Sequence, residues 1–197
     1  MVRKKNMKRY LITPTLLNSW KYCVENQYSN LEDFIKILKK EEAEDVSKFV
    51  KGNEFEEYMV AHYPETKNGC YQVKVYKNID NFIVYGKIDC LKAGVITDYK
   101  YTGNYDVGKF YGSYQTAVYM ELVPEAYKMQ YVICNNFDKK DMVNDWEEDK
   151  KQLKIFKEEY YREELKMNLR EEIYKFINWL EKYDLLKIYQ ENWESKY

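Results

Sequence analysis

The chain has 197 residues, of which 45% are hydrophobic and 33% charged, and it contains only seven glycines and three prolines. This composition excludes a disordered or collagen-like protein, and the length predicts a single domain over residues 1–197. Because 32 basic side chains nearly balance 33 acidic ones, the net charge is −1, which excludes a strongly basic surface that coats nucleic acid.

Neither membrane insertion nor secretion is expected. No apolar run approaches the roughly 20 residues of a membrane span, and the first 25 residues lack the apolar core of a signal peptide, so we expect a cytoplasmic protein. The basic stretch from Arg3 to Arg9 is either a solvated end or a phosphate contact. No C-x-x-C pair occurs, which predicts reduced and mostly buried thiols for the four cysteines, Cys23, Cys70, Cys90 and Cys134.

The first third of the chain has helical periodicity. Thr13-Pro14 is a plausible N-cap followed by proline at the first helical position, so the first helix is predicted to begin there. A second helix is predicted over Leu31–Leu38. A third is predicted to begin near Gly52-Asn53 and to end at about His62.

The middle of the chain is predicted to be β-structure. Tyr71–Tyr76 alternates in polarity, and Phe82–Tyr85 and Val95–Thr97 are runs rich in β-branched and aromatic residues. These three segments predict an antiparallel meander. A helix over Lys109–Leu122 and a strand over Tyr127–Cys134 are expected to follow.

The segment Asp141–Tyr197 is predicted to be almost wholly helical, with two helices split near Met167-Asn168. Its apolar stripe, which includes Ile173 and Phe176, is interpreted as core. The elements together predict an α/β (α+β) fold, in which a mixed central sheet with an antiparallel meander is flanked by helices. The N- and C-terminal segments are expected to be helical.

The hairpin between the second and third strands carries the residues of chemical interest. A two-residue turn at Ala93-Gly94 would place Asp89 directly opposite Asp98, with Cβ atoms about 5 Å apart. Such a carboxylate pair is destabilising unless a cation compensates, and Mg²⁺ prefers hard oxygen ligands of this kind. Lys100 lies two residues beyond Asp98 and should face the same side, near a metal-bound water or a phosphate.

A second interpretation of the hairpin remains open. Charged residues in a strand often lie on the solvent side of an antiparallel sheet, and a register slip of one residue would turn Asp89 to the other face. In the predicted register Lys87, opposite Lys100, could equally pair with the aspartates as a surface ion-pair cluster.

Three short motifs follow one another in a fixed order in this part of the chain. They are Gly86-Lys-Ile-Asp89, Ile96-Thr-Asp98-Tyr-Lys100 and Gln115-Thr-Ala-Val-Tyr119, on strand, strand and helix. In this order the chain resembles the PD-(D/E)XK nucleases, in the branch of RecB-type, Cas4-like and phage exonuclease domains, over about residues 11–135. The resemblance implies a restriction-endonuclease-like core, to which helices over about residues 141–197 are added.

The resemblance also implies roles for single residues. Asp89 and Asp98 are expected to bind Mg²⁺ or Mn²⁺, and Lys100 to act in catalysis. Gln115 and Tyr119 are expected to contact the active site or the DNA backbone, and their spacing of four places them on one helix face. The alternative is that Tyr119 is a core aromatic residue and Gln115 its solvated neighbour.

Glu56 is a further candidate metal ligand. Gly52-Asn-Glu-Phe-Glu56 is similar to the first motif of the family, in which a His or Glu four residues after glycine faces the metal. The alternative is a capping box formed by Asn53 and Glu56. His62, the only histidine, is expected to be structural or exposed rather than a ligand.

Pro14-Thr-Leu-Leu17, Trp20 and Cys23 are similar to the entry helix of the RecB and Cas4 branch, whose iron–sulfur members add three cysteines beyond the nuclease core. Here no cysteine follows Cys134, so a Cys₄ cluster in that arrangement is not expected. Cys23 is expected to be a buried apolar side chain.

The expected function is therefore that of a Mg²⁺- or Mn²⁺-dependent deoxyribonuclease, an exonuclease rather than an endonuclease, that acts on single- or double-stranded DNA ends. The family implies a place in phage or mobile-element DNA processing or recombination. No Walker A sequence is present, so no nucleotide cofactor is expected, and a homo-oligomer or a recombination protein is an open question. The alternatives are a catalytically silent module that binds nucleic acid or a host defence complex, and an RNA or structure-specific endonuclease.

Overall fold

The computed structural model describes residues 8–42 and 47–195, with only the backbone of residue 48. Seven α-helices are present in these residues: α1 Pro14–Glu25, α2 Leu31–Leu38, α3 Ser47–His62, α4 Tyr114–Leu122, α5 Trp146–Asp149, α6 Leu169–Lys182 and α7 Leu186–Trp193. Six strands form one mixed sheet with helices at its flanks: β1 Tyr10–Ile12, β2 Cys70–Ile79, β3 Phe82–Lys92, β4 Val95–Tyr101, β5 Lys128–Cys134 and β6 Ile155–Tyr161. The predicted α/β class with a mixed central sheet is confirmed.

Strand β3 organises the sheet. Strand β2 pairs with it in antiparallel orientation along nearly its whole length. On the other edge of β3, β1 pairs in parallel with Phe82–Val84, and β4 pairs in antiparallel orientation with Cys90–Lys92. The stretch of β3 between these two pairings therefore faces a gap in the sheet. Strand β5 then continues the sheet in parallel with β4, and β6 pairs in antiparallel orientation with β5.

The first two helices lie where the sequence predicts them. The Thr13 side chain accepts a hydrogen bond from the Leu16 amide at 3.2 Å, which caps α1, and Pro14 follows at the first helical position. Leu16, Leu17, Trp20 and Cys23 are buried on the core side of this helix. Cys90 and Cys134 are also buried thiols, while Cys70 is exposed.

The predicted starts of two later helices are wrong. Helix α3 begins at Ser47, so Gly52 and Asn53 lie inside it and the proposed capping box of Asn53 with Glu56 does not form. Helix α4 begins at Tyr114 rather than Lys109, because the preceding loop turns through glycines with positive φ. Ser113 is its N-cap, and the Ser113 hydroxyl accepts a hydrogen bond from the Gln115 amide at 3.2 Å.

The prediction that residues 141–197 are almost wholly helical is also wrong. Ile155–Tyr161 is strand β6, whose run of three charged residues resembles a solvated helix face in the sequence. Of the two helices predicted on either side of Met167-Asn168, only the start of the second is confirmed, since Asn168 is the N-cap of α6. A further break, between Lys182 and Leu186, separates α6 from α7. Ile173 and Phe176 are buried as predicted.

At the N-terminus, residues 1–7, with most of the basic stretch, lie outside the described residues. Lys8 forms an ion pair with Glu194 at 2.7 Å, and the Arg9 guanidinium lies 3.5 Å from the Asn78 side-chain oxygen. In residues 8–42 and 47–195, no helix is long and apolar enough to cross a membrane.

Candidate active site

The turn between β3 and β4 is the predicted two-residue hairpin. Ala93 and Gly94 both have positive φ, 49° and 76°, which is the backbone of a type I′ turn. The pairs Lys92–Val95 and Cys90–Thr97 set the predicted register. This register is confirmed, and Asp89 and Asp98 are the next residues beyond the last pair.

The two strands separate at these aspartates. Instead of a further backbone pair, the Asp89 carboxylate accepts a hydrogen bond from the Tyr99 amide at 2.9 Å. The exposed fractions are 8% for Asp89 and 1% for Asp98, so the interpretation of both as solvent-side residues is wrong. The fork between β3 and β4 thus holds two carboxylates away from water.

Lys100 lies on the same side as Asp98. Its Nζ is 2.6 Å from Asp98 Oδ2, and the Lys100 side chain is 30% exposed. The other oxygen of Asp98 accepts a hydrogen bond from Gln115 Nε2 at 2.5 Å. Among the described residues, Asp98 Oδ2 accepts no hydrogen bond of ordinary geometry, although the Lys100 ammonium is adjacent. A metal ion that binds this oxygen would share it with the Lys100 ammonium or displace that ammonium.

Burial dominates the electrostatics of the pair. Burial, together with the negative charges of Asp98 and Glu56, raises the pKa of the Asp89 carboxyl to about 8, against the opposing effect of the Tyr99 amide and Lys100. Burial also raises the pKa of Asp98, although Lys100 and Gln115 favour its charged form. The fork therefore holds more carboxyl groups than Lys100 can neutralise, and Asp89 retains its proton to a higher pH than an exposed aspartate.

The Lys100 ammonium remains protonated in this environment. Burial alone would lower the pKa of Lys100, but the nearby charge of Asp98 and the contact with its carboxylate outweigh that effect, and Asp89 and Glu56 add to it. The net result is a raised pKa. In the absence of another cation, Lys100 is the group that partly neutralises the acidic cluster.

Glu56 approaches the fork from helix α3. Burial raises the pKa of its carboxyl, the charge of Lys87 lowers it, and the charge of Asp98 raises it, which places Glu56 in the same electrostatic cluster. The Glu56 side chain accepts a hydrogen bond from the Gln72 side chain of β2. Gln72 has a φ of 53°, and it interrupts the β2–β3 ladder opposite Asp89. A left-handed non-glycine residue in a strand costs about 1–3 kcal/mol.

Gln115 and Tyr119 lie together on α4, as their spacing predicts. Gln115 Nε2 is 3.2 Å from the Tyr119 hydroxyl, which donates a hydrogen bond to the Lys87 carbonyl at 2.7 Å. The Tyr119 hydroxyl thereby bonds to β3 in the stretch between its pairings with β1 and β4. The Tyr119 ring is buried, so the residue also belongs to the core, and Gln115 is the residue of the two that contacts Asp98.

Gly86 permits this packing. A Cβ atom at this position would lie 2.6 Å from Tyr119 Cε1 and 3.2 Å from Leu122 Cδ1. Only a glycine therefore allows α4 to approach β3 closely enough for Gln115 to reach Asp98.

Two cavities adjoin the fork and share Thr15, Asn18, Lys100 and Gln115 in their walls. The first, which we call the lysine cavity, has a volume of about 310 Å³ and is also lined by Lys87 and the first residues of α1. The second, which we call the aromatic cavity, has a volume of about 500 Å³ and extends between α1, α2 and the loop before α4. Together they form a groove that passes over Lys100.

The sequence interpretation did not identify the groove-facing residues of α1. Thr15, Asn18, Ser19 and Tyr22 line the aromatic cavity and recur at helical spacing. A polar stripe of this kind, next to the buried apolar stripe of the same helix, is the signal that would have found them. Lys87 and Lys100 also line the groove. Among the described residues, Lys87 forms no ion pair with Asp89 or Asp98, so the alternative of a surface ion-pair cluster is wrong.

The donor set at the fork fits a hard divalent cation. Asp89 and Asp98 offer carboxylate oxygens, one of which accepts no hydrogen bond, and Mg²⁺ or Mn²⁺ commonly binds one or two carboxylates with water and phosphate oxygens. Among the described residues, no group of three or more His, Cys, Asp and Glu side chains is arranged to hold a metal. Glu56 would join the two aspartates only by leaving Gln72.

No protein-family model matches the chain, and no curated protein matches it. The crystal structure of SSO0001 is 14% identical in sequence, with a TM-score of 0.48, over 95% of this chain and 87% of that one. A candidate exonuclease from Eubacterium rectale is also 14% identical, with a TM-score of 0.38, over 91% of this chain and 68% of its own. Similarity at this level assigns no function, so the functional argument rests on the geometry of the fork.

Proposed function

We propose that the protein is a Mg²⁺- or Mn²⁺-dependent nuclease that hydrolyses DNA phosphodiester bonds at the β3–β4 fork. The observation that carries the proposal is the pair of buried aspartates, Asp89 and Asp98, with Lys100 Nζ 2.6 Å from Asp98 Oδ2 at the edge of a groove. A fold-stabilising ion pair does not need a second buried carboxylate whose pKa is raised to about 8. A cation-binding site does need such excess negative charge.

In this proposal, Asp89 and Asp98 hold the ion, and Glu56 is an additional ligand if its carboxylate turns from Gln72. When bound, the ion supplies Lewis-acid stabilisation of the phosphoryl oxygen and a more acidic water. Lys100 remains protonated and offsets the negative charge that develops on the phosphate in the transition state. Gln115 orients the Asp98 carboxylate through its hydrogen bond.

The lysine cavity supports binding of the scissile phosphate. Lys87 and Lys100 are the charged side chains in its wall, and the N-terminal end of α1 adds the positive end of a helix dipole. Tyr119 lines the same cavity, but its hydroxyl donates a hydrogen bond to the Lys87 carbonyl. Its role in DNA binding is therefore to hold the backbone that carries Lys87. The family resemblance favours an exonuclease that processes DNA ends.

The test is cleavage of end-labelled single- and double-stranded DNA in Mg²⁺, Mn²⁺ or EDTA. Lys100→Ala removes the transition-state charge and should lower the rate by at least about a hundredfold, the size expected for one electrostatic stabiliser. Lys187→Ala is the matched control, because Lys187 is 86% exposed on α7 and its contact is a surface pair with Glu191. The control should cleave at the rate of the unaltered protein.

The outcomes separate the alternatives. Cleavage in EDTA, or cleavage by the Lys100→Ala variant at the rate of the unaltered protein, contradicts the proposal. DNA binding without cleavage in either metal favours a silent interaction module, and cleavage of RNA or of closed circular DNA favours an endonuclease. The order in which labelled products appear gives the polarity of an exonuclease.

A further inference from the structure

The aromatic cavity differs from the lysine cavity in its chemistry. Of the side chains that line it, only Lys100 and Asp33 are charged, and Lys100 stands at the edge shared with the lysine cavity. Beyond Lys100 the wall therefore has no cation that would neutralise a phosphate, and the exposed carboxylate of Asp33 would repel one. The occupant of this cavity is expected to be uncharged.

The surface of the aromatic cavity fits a flat ring. Tyr22 is 60% exposed on α1, and Phe34, Ile37 and Phe110 form further apolar parts of the wall. The Phe110 ring is fixed by stacking on Tyr131, with the centroids 4.7 Å apart. Aromatic faces of this kind stack on nucleobases with little regard to sequence.

The cavity also presents polar groups. Asn30 Oδ1 is buried and has no hydrogen-bond partner among the described residues, and Asn30 lines this cavity. A buried acceptor without a partner is destabilising, and a donor on an incoming group would satisfy it. The exocyclic amino groups of adenine, guanine and cytosine and the ring N–H groups of guanine and thymine are such donors. A volume of about 500 Å³ lies within the usual range for small-molecule sites, about 300–1,000 Å³.

We propose that the aromatic cavity is a nucleoside subsite, which takes the base and sugar of the nucleotide next to the scissile phosphate. This inference rests on the proposed nuclease function, in which that phosphate lies at Lys100. Tyr22 stacks on the base, and the Asn30 side chain, whose Oδ1 is buried, turns toward the cavity to accept a hydrogen bond from it. Because a base enclosed in a cavity cannot stay paired, the substrate has an unpaired nucleotide at this position.

Tyr22→Ala, Tyr22→Phe and the unaltered protein are compared for binding of a single-stranded oligonucleotide that carries 2-aminopurine, in EDTA to prevent turnover. Tyr22→Ala should raise the Kd about tenfold and remove the change in 2-aminopurine fluorescence that stacking causes. Tyr22→Phe should keep the Kd and the fluorescence change of the unaltered protein. Tyr76→Ala is the control, because Tyr76 is 71% exposed on β2 and does not line the cavity. Abasic substitution should weaken binding at one position of the strand only.

The inference is overturned if Tyr22→Ala binds and quenches like the unaltered protein, or if abasic substitutions are equally harmless at every position. Its failure is distinguishable from failure of the nuclease proposal. A protein that cleaves DNA in Mg²⁺ but ignores Tyr22→Ala retains the nuclease function and loses the subsite. A protein that shows the Tyr22 dependence in EDTA but never cleaves retains the subsite.

Discussion

Replacing Asp89 by asparagine measures how much the buried carboxylate pair lowers the free energy of unfolding. The carboxyl pKa of Asp89 is raised from 3.8 to about 8, chiefly by burial. Below pH 4 this group is protonated in both the folded and unfolded chain. As the pH rises toward 8 the unfolded chain releases the proton while the folded chain retains it, so the folded state becomes progressively less stable.

The magnitude follows from the shift. About four pKa units at about 1.4 kcal/mol each give an upper limit near 6 kcal/mol. Asp98 and Glu56 interact with Asp89, so part of the free-energy penalty belongs to the three carboxyl groups together and not to Asp89 alone. We therefore expect Asp89→Asn to increase the free energy of unfolding by about 3 kcal/mol. Asparagine keeps an oxygen that can accept the hydrogen bond from the Tyr99 amide, so the substitution removes the charge without removing that contact.

The assay is urea denaturation in EDTA at a series of pH values from 4 to 8.5. Asp89→Asn should match the unaltered protein near pH 4 and exceed its free energy of unfolding by about 3 kcal/mol at pH 8.5. Mg²⁺ should then stabilise the unaltered protein at high pH and leave Asp89→Asn nearly unchanged. Parallel stability curves for the two proteins would refute the account of the carboxylate pair.

Two further substitutions test the structure around the fork. Gly86→Ala would place a Cβ atom 2.6 Å from Tyr119 Cε1, so it should lower the free energy of unfolding by about 1–3 kcal/mol, measured by urea denaturation; no loss would show that α4 is not held close to β3. The two oxygens of the Glu158 carboxylate accept hydrogen bonds from the Gly108 and Phe110 amides. Glu158→Gln leaves only one oxygen, so hydrogen exchange of these amides should accelerate about tenfold. Unchanged exchange at both amides would contradict the role assigned to Glu158 in fixing the loop before α4.

The hairpin could be predicted in detail because its determinants are local. Ala93-Gly94 fixes the turn type, and the turn type fixes the register that brings Asp89 and Asp98 together. Burial of the two aspartates could not be predicted from spacing alone. It depends on the separation of β4 from β3 and on the approach of Gln115 from α4, which are long-range contacts.

The errors in the fold have the same origin. The sequence predicts helix where strand β6 lies. In that strand the Glu158 carboxylate is buried and accepts hydrogen bonds from a loop some 50 residues earlier in the chain, a contact that local sequence does not reveal. Strand β1 has only three residues, and its parallel partner is about 70 residues distant. The sequence predicts a helix start near Gly52, but this glycine lies inside α3, where it is tolerated.

The central claim is that Asp89 and Asp98 hold a divalent cation, and binding of Mn²⁺ tests it most directly. Titration calorimetry at pH 7, in two buffers of different ionisation enthalpy, should show binding with release of a proton, because Asp89 is largely protonated without a metal at that pH. Asp89→Asn should abolish the proton release and weaken Mn²⁺ binding by at least about tenfold, while Lys187→Ala should change neither. Mn²⁺ binding that is unaffected by Asp89→Asn, or no binding at all, would contradict the claim.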